Sequence, residues 1–222
     1  MALSDPQPAA RPTDRTEDAP ARKRPKPGER RVQILQALAS MLQQPGVERI
    51  TTAALAARLE VSEAALYRHF ASKAQMFEGL IDFIEQTVFA LVNQIAQQDI
   101  TGGGSGRPPG ERRAARVLAM VIQFAEKNPG MARVMVGDAL VYENERLQQR
   151  MNHFFDKIEA SLRQCLRDGA SAGESDTPTV DALVQASVLT AFLVGRLQRF
   201  ARSGFKRQPS EHLEASLDRL LG

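Results

Sequence analysis

Apolar positions along the chain recur at helical spacing in one segment after another. Glu29 to Gln43 carries Val32, Leu35, Leu38, Ala39 and Leu42 on one stripe, with Ile34 and Met41 beside it, and Pro45-Gly46 is a stop signal. From Ser72 to about Gln98 a longer helix is predicted, with Phe77, Leu80, Ile81, Ile84, Val88, Leu91, Val92 and Ile95 in helical register. Glu111 to Lys127 is a further amphipathic helix, stopped by Asn128-Pro129-Gly130, and Met131 to Leu140 is a short piece that Gly137 can bend. Glu143 to about Arg167 and Thr179 to Arg202 are long helices whose apolar stripes are wide, and Glu211 to Leu221 reads as a short amphipathic end. A helix that is apolar beyond one face must be covered twice, so these two long helices are expected to meet their symmetry mates in a four-helix interface. A monomeric bundle core has the same pattern.

The denser stretch Ile50 to Lys73 reads ITTAALAARLEVSEAALYRHFASK. Thr51 and Thr52 stand where an N-cap hydroxyl can accept from amides lacking an intrahelical partner, so a helix starts there. Its Leu55, Ala56 and Leu59 share one face while Arg58 points away. Glu60-Val61 breaks it after about two turns. Ser62 is a second N-cap, and Glu63 at the first helical position suits the positive end of the helix dipole. Leu66 and Phe70 face inward beside Ala65, which leaves Glu63, Ala64, Tyr67, Arg68 and His69 outside. This is the pattern of a helix-turn-helix, completed to three helices by the Glu29 helix packed across it.

An ordinary helical hairpin shares that periodicity, but a Tyr-Arg-His run followed by Lys73 is an odd choice for a merely solvated face. If the second helix enters a major groove, Tyr67, His69 and Lys73 bond phosphates, while small Ala64 and Ala65 permit approach to base edges. The expected DNA-contacting set is Thr51, Thr52, Ser62, Glu63, Ala64, Tyr67, Arg68, His69 and Lys73. The predicted fold is all-α: an N-terminal helix-turn-helix domain (residues 29–73) joined by a long helix to a helical bundle (residues 74–222) that dimerises and binds a partner.

Leu-Tyr-Arg-His-Phe followed by Ala-Ser-Lys, after a helix that starts at Thr-Thr, resembles the TetR family of DNA-binding proteins. The runs VSEAALYRHF, FIEQTV, NPGMARVMVGDAL, RLQQRMN and FARSGFKRQP, spread from about Arg30 to Pro209, are similar to its nucleoid occlusion branch. That resemblance implies a homodimer on double-stranded DNA that binds the C-terminal tail of the tubulin-like division protein FtsZ and disrupts its polymers, blocking septum formation over the nucleoid. The family default is the alternative: a ligand-inducible repressor with a small molecule between the long helices. Glu60 departs from the resemblance. The family usually has Gly at that turn, and a non-Gly residue in the left-handed region costs about 1–2 kcal/mol, so a slightly remodelled turn is expected.

Partner contact is expected on a side line of the Ser72 helix. Met76, Phe83 and Ala90 are seven residues apart and share a narrow face, beside the helix from Glu111 whose edge carries Met120 and Phe124. A groove there would have Phe83 as floor, Lys127 as positive charge and free backbone groups at the Asn128-Pro129 break, which suits an extended acidic and apolar tail. The expected FtsZ-binding set is Phe83, Met120, Phe124, Lys127 and Asn128. Phe83 and Asn128 match the resemblance, whereas Leu91, Met120, Gln123 and Lys127 depart from it. The competing possibility is that Phe83 is core.

Composition narrows the picture. The 222 residues are 43% hydrophobic but only 5% aromatic with no Trp, so the interior must be aliphatic and Ala-rich, which favours packed helices. Net charge is +3, so any nucleic-acid affinity must come from local charge. The single Cys165 makes no intrachain disulfide, and the three His residues, His69, His153 and His212, are far apart with no metal-ligand or nucleophile-base spacing. Neither an enzyme nor a cofactor is expected. A cytoplasmic protein is, since no signal core is seen and no run approaches the roughly 20 apolar residues of a membrane span, and the resemblance implies that it is associated with the nucleoid. Met1 to Gly28 is too poor in large apolar side chains to offset its ordering entropy, and is expected to be disordered, with Arg22 to Lys26 as a possible backbone-following arm. Thr101 to Gly110 (TGGGSGRPPG) reads as a flexible insertion; it lacks the Lys-Ser/Thr ending of a phosphate-binding loop.

Overall fold

The computed structural model of the chain describes residues 28–44, 49–98, 107–169 and 177–221. The tail with its basic run, the Pro45-Gly46 stop and the Gly/Ser part of the insertion lie outside the described residues. Among the described residues there is no strand, and nine α-helices follow in order: α1 (Glu29–Leu42), α2 (Thr52–Arg58), α3 (Glu63–Tyr67), α4 (Lys73–Gln97), α5 (Pro109–Lys127), α6 (Pro129–Met135), α7 (Glu145–Gly169), α8 (Pro178–Arg202) and α9 (Leu213–Leu221), with a short 3-10 turn at Asp138–Leu140.

Prolines account for two shifted boundaries. Pro109 and Pro129 each open a helix, two residues earlier than the apolar pattern marks, because a first helical position needs no N–H donor and φ is already set. Gly137 ends α6 in the left-handed conformation at φ 78, as its expected bend requires.

One apolar core runs through both halves of the molecule. Ile34 and Leu38 of α1, Leu66 and Phe70 of the helix-turn-helix, and Phe77, Ile81 and Ile84 of α4 continue into Val121 and Ile122 of α5, Phe154 and Ile158 of α7, and Leu189 and Leu193 of α8. Close contact between α6 and α1 depends on Gly130, where a Cβ would stand 2.1 Å from the Ala39 carbonyl oxygen. Any larger residue would push α6 off α1.

α7 and α8 lie along each other in opposite directions, the start of α7 (Gln148, Met151) sharing a cavity with the end of α8 (Val194, Gln198). The two differ from expectation in one respect. On α7 the apolar residues Leu147, Met151, Phe154, Ile158, Leu162, Cys165 and Leu166 are all buried within the chain, so it has no second apolar face beyond half-buried Phe155. On α8 the excess is real: Val180, Leu183, Val184 and Val188 are exposed along one line, and a Cβ at Gly195 would meet nothing within 4 Å.

The same excess corrects the expectation that no segment is apolar enough for a membrane. Thr179–Arg202 is long and apolar enough to cross one by length and composition, with mean hydropathy 1.5. Between Asp181 and Arg196 only Gln185, Ser187 and Thr190 are polar, which interrupts the apolar run but is too few residues to lower its mean hydropathy much.

Candidate nucleic-acid interface and partner groove

The two short helices of the reading head are held by their own hydroxyls. Thr51 caps α2 by accepting from the Ala54 N–H at 3.1 Å, and Ser62 caps α3 by accepting from the Ala65 N–H at 3.3 Å. An accepting hydroxyl still has its O–H, so both remain able to donate to a phosphate oxygen. Thr52 is different: its hydroxyl donates to the Glu63 carboxylate at 2.5 Å, so α2 and α3 are tied at their N-termini and both side chains are engaged. Ala64, Tyr67 and Arg68 are exposed on the outer face of α3, Tyr67 at 45%. His69 is half-buried.

Glu60 sits in the turn at φ 54. The turn therefore keeps its left-handed shape despite the missing Gly, and the strain is carried rather than relieved by remodelling.

Lys73 does not stand free for a phosphate. Its ammonium pairs with Glu143 and lies 5.6 Å from the Phe77 ring centroid, with the two charged side chains only 20% and 10% exposed. The short spacing to Tyr-Arg-His suggested a DNA contact, but a residue opening α4 also faces the start of α7. That neighbour could not be read from local sequence.

Arg31 is a support that the sequence did not single out. From α1 it stacks over the Phe70 ring at 4.1 Å and donates to the His69 carbonyl, so the end of α3 is clamped to α1. Arg58 adds a second tie, donating to the Ser40 hydroxyl at 2.8 Å.

Phe83 is exposed at 47%, so it is not core. It lines a mainly apolar cavity of about 280 Å³ with Val32, Leu35 and Gln36 of α1, Leu80 of α4, Asn128 at the break between α5 and α6, and Met131 of α6. The wall opposite Phe83 is thus α1 and α6 rather than α5. Phe124 is buried at 8%, facing the core, Met120 is half-buried, and exposed Lys127 is not part of the lining. On α4 the seven-residue line rotates out of the core, from wholly buried Met76 to exposed Phe83 and Ala90, because seven residues fall about 20° short of two whole turns. At the break the backbone of Asn128 itself is engaged: its N–H donates to the Ala125 carbonyl at 3.2 Å and its carbonyl accepts from Met131 and Ala132 at 2.9 and 3.0 Å. Its side-chain N–H donates to the Phe124 carbonyl at 2.8 Å, and with Gln36 it is one of the two polar side chains lining the cavity.

Two family models cover these elements. Residues 34–80 match the model described as bacterial regulatory proteins of the tetR family, and residues 111–221 match the SlmA-like tetracyclin repressor-like C-terminal domain. The nucleoid occlusion factor SlmA of Idiomarina loihiensis is 47% identical over 84% of this chain and 90% of its own length. That of Vibrio vulnificus is 46% identical over 85% and 92%. The chain belongs to the SlmA branch of the TetR family.

Solved structures agree on the fold. The fatty acid degradation regulator FadR of Bacillus halodurans superposes with a TM-score of 0.67 at 17% identity, covering 89% of this chain and 97% of that one. The TetR family regulator PfmR of Thermus thermophilus gives 0.64 at 20% identity, over 85% and 94%. Members of this family are DNA-binding regulators, not enzymes. On this fold the chain carries the strained Glu60 turn and the open Phe83 groove. A further feature is the charged seam from α4 to the start of α7, where Arg146 meets Glu78, and Arg150 meets Asp82 at 2.9 Å and Glu85 at 2.6 Å. Partial burial alone would lower the Arg150 pKa, but the hydrogen bonds to Glu85 and Asp82 outweigh it and hold the guanidinium above its ordinary value.

Proposed function

We propose that the chain is a nucleoid occlusion factor that works as a DNA-bound homodimer on the nucleoid in the cytoplasm. Two copies meet along the open face of α8, through Val180, Leu183, Val184 and Val188, and each inserts α3 into a major groove. A near-palindromic site with half-sites about 34–36 Å apart fits two reading heads related by a two-fold axis. Thr51 and Ser62 hydroxyls, Tyr67 and Arg68 supply phosphate and groove contacts, with Ala64 nearest the bases.

On this reading the C-terminal tail of FtsZ lies in the Phe83 groove, its apolar side chains on Phe83, Leu80, Leu35 and Val32, and its backbone reaching the Asn128 side chain. The observation that carries the proposal is an exposed Phe flooring an apolar groove, in a chain whose relatives are named nucleoid occlusion factors. An exposed large aromatic beside such a groove is better explained as an anchor for a partner than as solvated surface.

Two measurements test it. Fluorescence anisotropy with a labelled FtsZ C-terminal tail peptide should show saturable binding to the DNA-bound protein. Chromatin immunoprecipitation with sequencing should return many sites away from promoters. No binding of the peptide, together with a few promoter sites released by a small molecule, would mean a ligand-inducible repressor instead.

A further inference from the structure

From Gly195 to Ser210 the chain has five basic residues and no acidic one. Arg196 is used inside the fold, donating to the Pro209 carbonyl at 3.2 Å and the Ser216 hydroxyl at 2.8 Å, and stacking on Phe192 at 4.7 Å. The other four, Arg199, Arg202, Lys206 and Arg207, are exposed, and among the described residues none of them makes an ion pair.

Their support is rigid. The Ser203 hydroxyl accepts from the Lys206 N–H at 3.1 Å and the Arg207 N–H at 2.9 Å, and the Phe205 ring packs edge-on against Phe200 at 5.2 Å. Gly204 and Phe205 are both left-handed, at φ 61 and 66, which turns the chain sharply so that Lys206 and Arg207 follow Arg202 around the end of α8.

This end of α8 adjoins the reading head. Gln44, just past α1, lines one cavity with Arg133, Asp138 and residues Ala201 to Phe205. Thr51 follows Gln44 by seven residues and so lies within about 25 Å of it even at full extension. Three carboxylates are near. Asp138 is held by Arg133 at 2.7 Å, Glu126 accepts from the Ser210 N–H at 2.9 Å, and Glu211 lies beyond the loop. None of them is paired with the four cations.

We infer that Arg199, Arg202, Lys206 and Arg207 form a second phosphate-binding surface, which grips the DNA backbone beside the helix-turn-helix. This rests on the DNA-binding reading above. Charge without an apolar anchor suits DNA better than a membrane or a protein groove: the loop's one aromatic, Phe205, is turned onto Phe200.

The test uses the full-length protein with the fourfold variant R199A/R202A/K206A/R207A, titrated onto a specific and a scrambled duplex across a range of salt concentrations. Each phosphate contact adds about 0.9 to the slope of log K against log salt. Losing the surface should lower that slope by about 2 or more and weaken both duplexes about tenfold or more near 0.15 M salt, with site preference and melting temperature kept. The companion R199K/R202K/R207K should restore the slope, since phosphate contact needs only the charge. An unchanged slope in the fourfold variant would overturn the inference. So would lost binding to phosphatidylglycerol vesicles with an intact DNA slope. Wild-type protein that binds no duplex would overturn the DNA-binding reading itself, a different failure from a variant that matches wild type.

Discussion

Replacing Phe83 by Ala separates an anchor from a core residue. Fully burying a Phe side chain is worth about 1.5–3 kcal/mol, and truncating one in a closed core costs about 3–5 kcal/mol. Phe83 is 47% exposed, so about half of its transfer energy is at stake and no closed cavity is left behind. The expected stability loss is about 0.8–1.5 kcal/mol, or a fall of about 2–6 °C in melting temperature for a chain of this size. Binding of the FtsZ tail peptide should suffer more, by about 2 kcal/mol or about 30-fold, because a central aromatic anchor loses its whole interface contact. DNA affinity should stay the same. The assays are differential scanning calorimetry, peptide anisotropy and DNA anisotropy on one preparation. Phe77→Ala, at 1% exposure, is the core control and should cost about 3–5 kcal/mol. A Phe83→Ala protein that melts as low as the Phe77 variant, or that binds the peptide like wild type, would refute the groove.

Glu60→Gly should raise stability by about 0.5–1 kcal/mol, the left-handed strain relieved less the added backbone entropy of Gly, and thermal unfolding would show it as an upward shift. Lys73→Ala should destabilise by about 1–3 kcal/mol by stranding the mostly buried Glu143 carboxylate; equal stability with a lower salt slope for DNA would instead return Lys73 to phosphate contact. The double change Leu183→Glu and Val188→Glu should give monomers in analytical ultracentrifugation at micromolar concentration and a large loss of DNA affinity, whereas an intact dimer would move the interface elsewhere. Cys165, whose thiol is pushed above its ordinary pKa by burial and by Asp168 against the opposing pull of Arg113, should stay protonated at neutral pH and react with a thiol reagent only on unfolding.

Local signals were legible and long-range ones were not. The N-caps Thr51 and Ser62 come from hydroxyls placed before apolar runs, and both cap as written, because capping is settled within four residues. The fold class followed from helical periodicity alone. Phe83 stood out because it lies off the main stripe of α4, and it is exposed there. The groove's other wall was misplaced onto α5, since chain order suggests that consecutive helices pair. What brings α1 and α6 together instead is the lack of a Cβ at Gly130, a contact between positions far apart in sequence. Lys73 failed for the same reason: its partner Glu143 is 70 residues away. On α7 the stripe looked wide enough for two faces because its inner face already meets both α5 and α8, and periodicity counts apolar residues without saying how many neighbours share one face.

The charged seam along α4 bears on how the two halves act together. Lys73, Glu78, Asp82 and Glu85 occupy successive turns and pair with Glu143, Arg146 and Arg150, so the N-terminal half of α4 is tied to the first two turns of α7 and to the segment just before it. Exposed pairs of this kind contribute only about 0–1 kcal/mol each, but Lys73–Glu143 is largely buried and the network runs alongside a continuous apolar core. The reading head is therefore tied to the helix that packs against α8, and in the dimer proposed above the α8 face would set the spacing of the two reading heads. A ligand-gated repressor that worked by moving α4 relative to the start of α7 would have to break this seam. A partner binding at Phe83 meets the opposite requirement. It needs α1, α4 and α6 held still, and the seam, the Gly130 contact and the Arg31 clamp all hold them so that the groove and the DNA-reading face exist at once in a single conformation.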